Sequence, residues 1–206
     1  MAIRTAVNRA LTAITALPTA AALTDGNLTL LSTATASSSA TLSFTSGIDD
    51  TYDSYVFKFY NIHPATDDAR FQFQADTGTN TNYNQTITST FFGAYHAEGD
   101  GASGLGYETS FDQAQGTAFQ TLVIVIGNGN DECSSGSLTI YNPSSSVFVK
   151  HFMATNNSVT ANPNSQNDFS AGYFNTTTPL TRFQFKMSSG NIDSGTIKMY
   201  GVGPKQ

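Results

Sequence analysis

The stretch TRFQFKMSSGNIDSGTIKMYGVGPKQ, residues 181–206, contains two runs of alternating apolar and polar residues, separated by SSGNIDSG. Alternation with a period of two is typical of β-strands that bury one face. The two glycines of the connection provide the backbone freedom that a longer hairpin loop requires. The stretch therefore predicts a β-hairpin with its strands side by side. Its expected cross-strand apolar pairs join Phe183 and Phe185 to Ile197 and Met199.

The same alternation recurs from residue 41 onward, in short runs rich in β-branched and aromatic residues and bounded by Gly, Pro, Asn or Asp. TLVIVIGN (121–128) is almost continuously apolar, which predicts a central strand covered on both sides. Many short strands separated by turn signals predict an all-β fold, an antiparallel β-sandwich or jelly roll. The other predicted strands are ATLSFTS (40–46), SYVFKFYN (54–61), ARFQFQA (69–75), GSLTIYN (136–142), SSVFVKHFMA (145–154), FSAGYF (169–174), RFQFKMS (182–188) and TIKMYGV (196–202).

Residues 1–38 differ in composition from the rest and are predicted to form an N-terminal attachment arm, ahead of a β-sandwich domain over residues 39–206. Apolar residues recur from Ile3 to Leu17 at spacings of four and three, as in a heptad helix, and Pro18 ends the pattern. The run STATASSSAT (32–41) is interpreted as a tether after this short helix.

A helix of fewer than three heptads is marginal alone in water. It either packs on its own domain or becomes ordered by docking on other subunits, and both interpretations stay open. The basic start and weakly apolar stretch imitate a signal peptide, but Pro18 and several threonines interrupt it, so we expect it to be retained. The heptad seam contains Ile3, Val7, Ala10, Ile14 and Leu17, and the predicted partner-binding residues are Ile3, Val7, Leu11, Ile14 and Leu17.

Charged residues make up only 12% of the chain, against about 25% in ordinary domains, and the formal net charge is -6. An acidic chain with scattered cations is a poor partner for nucleic acid. No stretch approaches the roughly 20 apolar residues that a membrane span needs. Cys133 is the single cysteine, which excludes an internal disulfide and a cysteine zinc cluster.

Three patterns have a chemical as well as a structural interpretation. GDGASG (99–104) matches the G-x-G-x-x-G pattern of dinucleotide sites but lacks the strand before it and the helix after it, so it is read as a loop. His63, His96 and His151 lie in unrelated segments, and no G-x-S-x-G motif accompanies them. We therefore expect neither an enzyme nor a cofactor.

Aspartate-rich segments supply the oxygen ligands that Ca²⁺ prefers, but none has a defined loop spacing. Because aspartate also favours turns through its own backbone hydrogen bonds, turn formation is the preferred interpretation and calcium binding the alternative. The segments are GIDDTYD (47–53), ATDDAR (65–70) and GNGNDE (127–132). Four tyrosines in loop-like surroundings can either pack or act as rigid recognition groups: Tyr52, Tyr83, Tyr95 and Tyr107.

TLSFTSGIDDTYDSYVFKFYNIHPATDDARFQFQAD (41–76), followed by AGYFN (171–175) and RFQFKMSSGNIDSGTIKMYGV (182–202), resembles a β-module of tailed-bacteriophage virion surface proteins. The resemblance covers residues 40–203 and rests on the strand pattern, not on a catalytic signature. It implies a non-enzymatic structural protein of the virion, made in the host cytoplasm and exposed as a tail-fibre, appendage or capsid-decoration subunit.

The implied partners are other virion proteins, namely capsid, portal or tail subunits, together with further copies of the chain, a trimer being favoured. A host surface glycan is a further expected partner. Two alternatives stay open from the sequence: a carbohydrate-binding adhesin module, with or without calcium, and a hydrolase on a jelly-roll scaffold.

Overall fold

The computed structural model describes residues 28–203 of the 206-residue chain, and these residues form thirteen β-strands and no helix. The predicted arm helix and all five predicted partner-binding residues, Ile3, Val7, Leu11, Ile14 and Leu17, lie outside the described residues. The strands are β1 (Leu28–Thr35), β2 (Leu42–Phe44), β3 (Ser54–Pro64), β4 (Ala69–Thr77), β5 (Ile87–Ala97), β6 (Ser103–Tyr107), β7 (Ala114–Gly116), β8 (Gln120–Ile126), β9 (Ser134–Tyr141), β10 (Lys150–Val159), β11 (Asn164–Phe174), β12 (Leu180–Met187) and β13 (Ile192–Val202).

The strands form two antiparallel sheets of unequal width. The large sheet has the order β1-β13-β3-β9-β10-β11-β5-β6, with β7 also paired to β5, and the small sheet has the order β2-β12-β4-β8. Their apolar faces share one buried core. This all-β arrangement of two antiparallel sheets is consistent with a β-sandwich, as the strand pattern predicts.

Phenylalanine rings from both sheets fill the centre of the core. Phe185 on β12 lies among five other rings, with centroid distances of 5.2 Å to Phe57 and 5.5 Å to Phe59 on the large sheet. The predicted inward faces of β3 and β4 are confirmed, since Tyr55, Phe57, Phe59, Phe71 and Phe73 are all buried. Edge-to-face and offset ring pairs of this kind stabilise a core beyond simple area burial.

The predicted C-terminal hairpin is wrong. β12 belongs to the small sheet and β13 to the large sheet, so the connection between them crosses the sandwich instead of joining two neighbouring strands. Phe183, Phe185, Ile197 and Met199 are all buried as expected, but they enter the shared core from opposite sheets. Alternation specifies which face of a strand is buried. It does not distinguish two strands that pair in one sheet from two strands that face each other across the core.

The predicted tether is also wrong. Residues 28–35 form β1, which pairs along its length with β13, and Ala36, Ser38 and Ser39 continue to bond to the backbone of residues 192–195. The chain then crosses to the small sheet, where β2 pairs with β12. The β1–β2 and β12–β13 crossings therefore run side by side, and the Asn191 amide donates to the Ser38 carbonyl at 2.8 Å. The sandwich therefore includes Leu28, eleven residues before its predicted start at residue 39.

The third correction concerns TLVIVIGN. It forms β8, which is the edge strand of the small sheet and not a central strand. Its side chains are nevertheless mostly buried on both faces. The apolar run therefore indicates that both faces of the strand are covered by other elements. It does not indicate which strands pair with it, and so it does not predict whether the strand is central or at an edge.

A disulfide between β1 and β13 tests whether residues 28–35 belong to the sheet. Thr35 and Thr196 are direct partners, with hydroxyl oxygens 3.4 Å apart. In a Cys133→Ser background, Thr35→Cys with Thr196→Cys should form a disulfide spontaneously and raise the thermal midpoint, because a long loop is closed. Mass spectrometry with and without reductant detects the bond. The off-register pair Thr33→Cys with Thr196→Cys is the control, and equal bridging in both pairs would contradict the register.

Truncation of Phe185 tests the aromatic core. Phe185→Ala removes a ring that contacts both sheets and should lower the free energy of unfolding by about 3–5 kcal/mol, measured by urea denaturation. Gln184 on the same strand faces the other way and donates to the Ser43 hydroxyl, so Gln184→Ala should cost only about 1 kcal/mol. Comparable losses in the two variants would show that β12 does not face the core as described.

Candidate functional site

An uncovered part of the large sheet forms a cleft. The small sheet ends at β8, whereas the large sheet continues past β11 with β5 and β6. Within residues 28–203, the inner face of these two strands therefore has no opposing strand at the level of Tyr95. The resulting cavity has a volume of about 650 Å³ and is lined by Asp68, Gly93, Tyr95, Gly104, Leu105, Gly106, Glu108, Ile124, Val125, Thr160, Asn162, Asn164 and Gln166.

Glycine creates the depth of this cleft. Gly93 lies opposite Gly106 and Tyr95 lies opposite Gly104, so the inward positions of β6 carry no side chain. Directly opposed residues of an antiparallel pair project from the same face of the sheet. A Cβ at Gly106 would meet nothing nearer than the Glu108 Oε1 atom at 3.8 Å, so the space above it is open. A glycine inside a strand often marks a place of close approach by another group.

The ring of Tyr95 lies directly on one of these glycines. A Cβ at Gly104 would stand only 2.8 Å from Tyr95 Cε1, so the ring occupies the space that a side chain would need. The tyrosine is still 40% exposed. Gly104 thus holds the Tyr95 ring along the inner face of the sheet, while part of the ring surface faces the cavity.

Asp168 lies beneath the cleft and is fully buried. Its Oδ1 accepts a hydrogen bond from Gln166 Nε2 at 2.7 Å, and its Oδ2 accepts one from the Ile124 backbone N–H at 2.9 Å. Burial raises the pKa of Asp168 to about 6, and the negative charge of Glu108 acts in the same direction, while the two hydrogen bonds oppose the shift. A Cβ at Gly93 would come within 2.9 Å of Asp168 Oδ1, so this pair also needs a glycine beside it.

Side chains of the large sheet satisfy the free backbone edge of β8. The Asn156 amide donates to the Leu122 carbonyl at 3.2 Å, and the Ser158 hydroxyl donates to the Val125 carbonyl at 2.9 Å. Together with the bond from Ile124 to Asp168, these contacts replace a neighbouring strand. An exposed apolar edge is a template for aggregation, and this one is covered from within. Asp168 therefore has a structural role at the wall of the cleft.

The charged side chains that line the cleft are the carboxylates Asp68 and Glu108, and no Lys, Arg or His of the described chain is among the lining residues. The remaining polar groups are a hydroxyl and amides, from Thr160, Asn162, Asn164 and Gln166. Amides both donate and accept hydrogen bonds. The cleft thus suits an uncharged ligand with many hydroxyl groups and repels phosphates and other anions.

A second surface lies on the outer face of the large sheet. Here a depression of about 430 Å³ is mostly apolar and is lined by Thr88, Ser89, Thr90, Tyr141, His151, Phe152, Met153, Ala171, Gly172 and Tyr173. Met153 is 58% exposed and Tyr141 is 42% exposed. The Tyr141 hydroxyl contacts the Met153 sulfur at 3.7 Å. We call this the outer apolar patch, defined by Tyr141, Met153, Ala171 and Tyr173.

The three histidines remain separate, as expected from the sequence. His63 Nδ1 lies 3.6 Å from an Asp193 carboxylate oxygen, His96 Nε2 lies 3.3 Å from an Asp100 oxygen, and the His151 ring packs edge-on to Tyr173. GDGASG is the turn between β5 and β6, in agreement with the loop interpretation. Its last residue, Gly104, nevertheless lines the cleft, a position that the G-x-G-x-x-G pattern does not indicate.

The aspartate-rich segments form turns, as the preferred interpretation holds. Asp49 Oδ1 accepts from the Thr51 N–H at 2.9 Å, and Asp67 Oδ1 accepts from the Asn128 N–H at 3.1 Å. Glu132 Oε2 accepts from the Gly129 N–H at 2.6 Å. Within residues 28–203, no group of three or more His, Cys, Asp or Glu side chains is arranged to hold a metal ion.

The four tyrosines from loop-like sequence surroundings divide between packing and exposure. Tyr83 is buried, and Tyr52 packs edge-on to Tyr55 with ring centroids 5.9 Å apart. Tyr95 and Tyr107 are exposed on β5 and β6, and the Tyr107 hydroxyl donates to Asp112 at 2.5 Å. Only Tyr95 lines the cleft. Tyr95 differs from the other three tyrosines in its cross-strand neighbours, Gly104 and Gln166, and not in its local sequence.

Lys150 is a buried charge that the sequence presents as one of several scattered cations. It is fully buried, and its ammonium donates to the carbonyl oxygens of Phe148 at 3.1 Å and Thr176 at 3.0 Å. Burial lowers the pKa of this lysine. These contacts give it a structural role in holding the connections before β10 and after β11.

Comparisons of the chain with protein-family models, with curated proteins and with solved structures found no match. In the part of the chain that the structure describes, no helix has the length and apolar character needed to cross a membrane.

The buried Asp168 should make stability depend on pH. Its folded pKa of about 6 lies above the ordinary value of 3.8, so its stabilising contribution is fully present below about pH 4 and is lost as the pH rises through 6. The loss is on the order of 3 kcal/mol at pH 7. Asp168→Asn cannot ionise, so the variant should gain stability relative to wild type between pH 4 and pH 7, measured by urea unfolding.

The exposed Asp50 provides the matched control, because Asp50→Asn removes a carboxylate that is not buried. Its stability difference from wild type should stay nearly constant over the same pH range. Parallel pH profiles for wild type and Asp168→Asn would contradict the assignment of a raised pKa to the buried carboxyl.

Proposed function

We propose that this chain is a non-enzymatic structural subunit of a bacteriophage particle. It would be displayed on the particle surface as a tail-fibre, appendage or capsid-decoration module, with the chain before Leu28 as its attachment. The sequence resemblance to phage virion β-modules supports this proposal. The structural observation that supports it most is the outer apolar patch, because exposed apolar patches mark surfaces that associate.

The outer apolar patch lies on the same rows of the sheet as the start of the described chain. Leu28 is paired with Val202, Val202 with Ser54, and Ser54 with Tyr141. Three strand spacings separate Leu28 from Tyr141, which is about 15 Å. Leu28, the first described residue, is therefore close enough to the patch for a preceding segment to reach it.

The proposed occupant of the patch is the heptad segment, residues 3–17, of a neighbouring copy of the chain. Ten residues, 18–27, connect that segment to β1 and can span up to about 35 Å when extended. An amphipathic segment placed in an apolar groove is a common recognition mode. Exchange of such arms around a closed ring produces a symmetric oligomer, for which we favour a trimer. The helical state of residues 3–17 remains part of the proposal.

A single tryptophan can report on this docking, because the natural chain contains none. In full-length Met153→Trp, burial by the arm should give a blue-shifted emission maximum. Adding Val7→Asp and Ile14→Asp should shift the emission to the red and convert the oligomer to a monomer, since carboxylates are placed on the apolar seam. Fluorescence and sedimentation equilibrium measure the two effects.

Thr5→Asp with Thr12→Asp is the matched control, because it adds the same charge away from the seam and should leave both readouts unchanged. If the full-length Met153→Trp variant is monomeric and its tryptophan is still buried, the chain docks its own arm, which contradicts the assembly role. Emission that does not respond to the seam substitutions would remove the patch as the docking surface.

A further inference from the structure

We propose that the cleft beside β8 is a binding site for a neutral oligosaccharide. This goes beyond the particle role and uses a different surface, since the cleft opens on the inner face of the large sheet and the outer apolar patch lies on the opposite face. Its volume of about 650 Å³ falls within the range of ligand sites and leaves room for a short chain of sugar rings.

Tyr95 supplies the apolar contact of the proposed site. Aromatic side chains combine a flat apolar surface with little conformational freedom, which makes them effective recognition groups. The Tyr95 ring is already held against Gly104, so little further ordering is needed when a ligand arrives. A sugar ring presents C–H groups on one face, and the part-exposed tyrosine ring offers a matching surface.

The polar groups of the cleft match hydroxyls better than charges. Gln166 is fixed by its bond to Asp168, and Asn162 and Asn164 also line the cleft. Amides and hydroxyls both donate and accept, so they suit the paired hydroxyls of a sugar. The carboxylates Asp68 and Glu108 accept hydrogen bonds and repel anions. The charge of the lining thus selects neutral sugars over acidic ones.

The backbone of β8, on one side of the cleft, does not offer an edge for an extended peptide. A bound peptide strand needs a free sheet edge with unpaired backbone groups. At β8 these groups already bond to Asn156, Ser158 and Asp168. The open space over Gly106, beside the ring of Tyr95, allows a sugar ring to approach the sheet closely.

Two variants test the site on the full-length protein, with a printed array of neutral, acidic and amino oligosaccharides as the probe. Tyr95→Ala should weaken binding to the neutral oligosaccharides about tenfold or more. Gly106→Leu fills the open space without a backbone clash, because Gly106 does not have a positive φ and a Cβ there has only ordinary contacts. It should abolish binding while leaving every polar group in place.

Tyr60→Ala is the matched control, since Tyr60 is 41% exposed on β3, away from the cleft. It should bind as wild type does. Binding of neutral oligosaccharides that Tyr95→Ala weakens and Gly106→Leu abolishes supports the site. The proposal is overturned if no oligosaccharide on the array is bound, if only acidic or only amino ones are bound, or if Gly106→Leu binds normally. These outcomes do not depend on oligomeric state, so failure here leaves the particle role untouched.

Discussion

The free edge of β8 is the constraint on which the molecule depends. A four-stranded sheet that covers an eight-strand-wide sheet must end somewhere above it, and the backbone groups at that end need partners. Asn156, Ser158 and Asp168 provide them from the inner face of β10 and β11. Because these side chains are polar, the apolar core stops here. The cleft begins just where the covering of the sheet ends.

This arrangement separates the two surfaces that are proposed to have functions. Core-facing positions on β5 and β11 turn from apolar residues such as Phe91 and Phe174 to the polar and glycine positions of the cleft, while the outward positions of β9 and β10 carry Tyr141 and Met153. Since successive residues of a strand point to opposite faces, one sheet can serve both a ligand and a neighbouring subunit. In the proposed particle role, one face would attach the subunit and the other would bind a ligand.

Alternation in the sequence predicts strands and their buried faces, and it does so well for Phe57, Phe59, Phe71 and Phe73. It cannot predict which strand lies beside which, because pairing depends on long-range register. Residues 181–202 illustrate the limit: both strands and their inward side chains are as expected, yet the strands belong to different sheets. β1 is rich in serine, threonine and alanine and is therefore not predicted as a strand. An edge strand can pair through its backbone groups even when it has few apolar side chains.

The cleft was less predictable than the strands. The sequence interpretation places Gly104 in the GDGASG loop and assigns no role to Gly93 or Gly106. Their common function is visible only once β5 and β6 are aligned. The sequence context of Tyr95 resembles that of three other tyrosines whose environments in the fold are different. Asp168 carries no sequence signal at all, because its burial results from the position of β8 above it. A site that forms where one sheet ends above another can be predicted only after the order of the strands is known.

The position of β13 between β1 and β3 has a consequence for synthesis of the protein. β13 is made more than 120 residues after β3, yet it fills the gap between β1 and β3. Until β13 emerges from the ribosome, neither β1 nor the neighbouring side of β3 has its backbone partner. Any nascent chain that stops before residue 192 therefore exposes two unpaired strand edges, which favour aggregation.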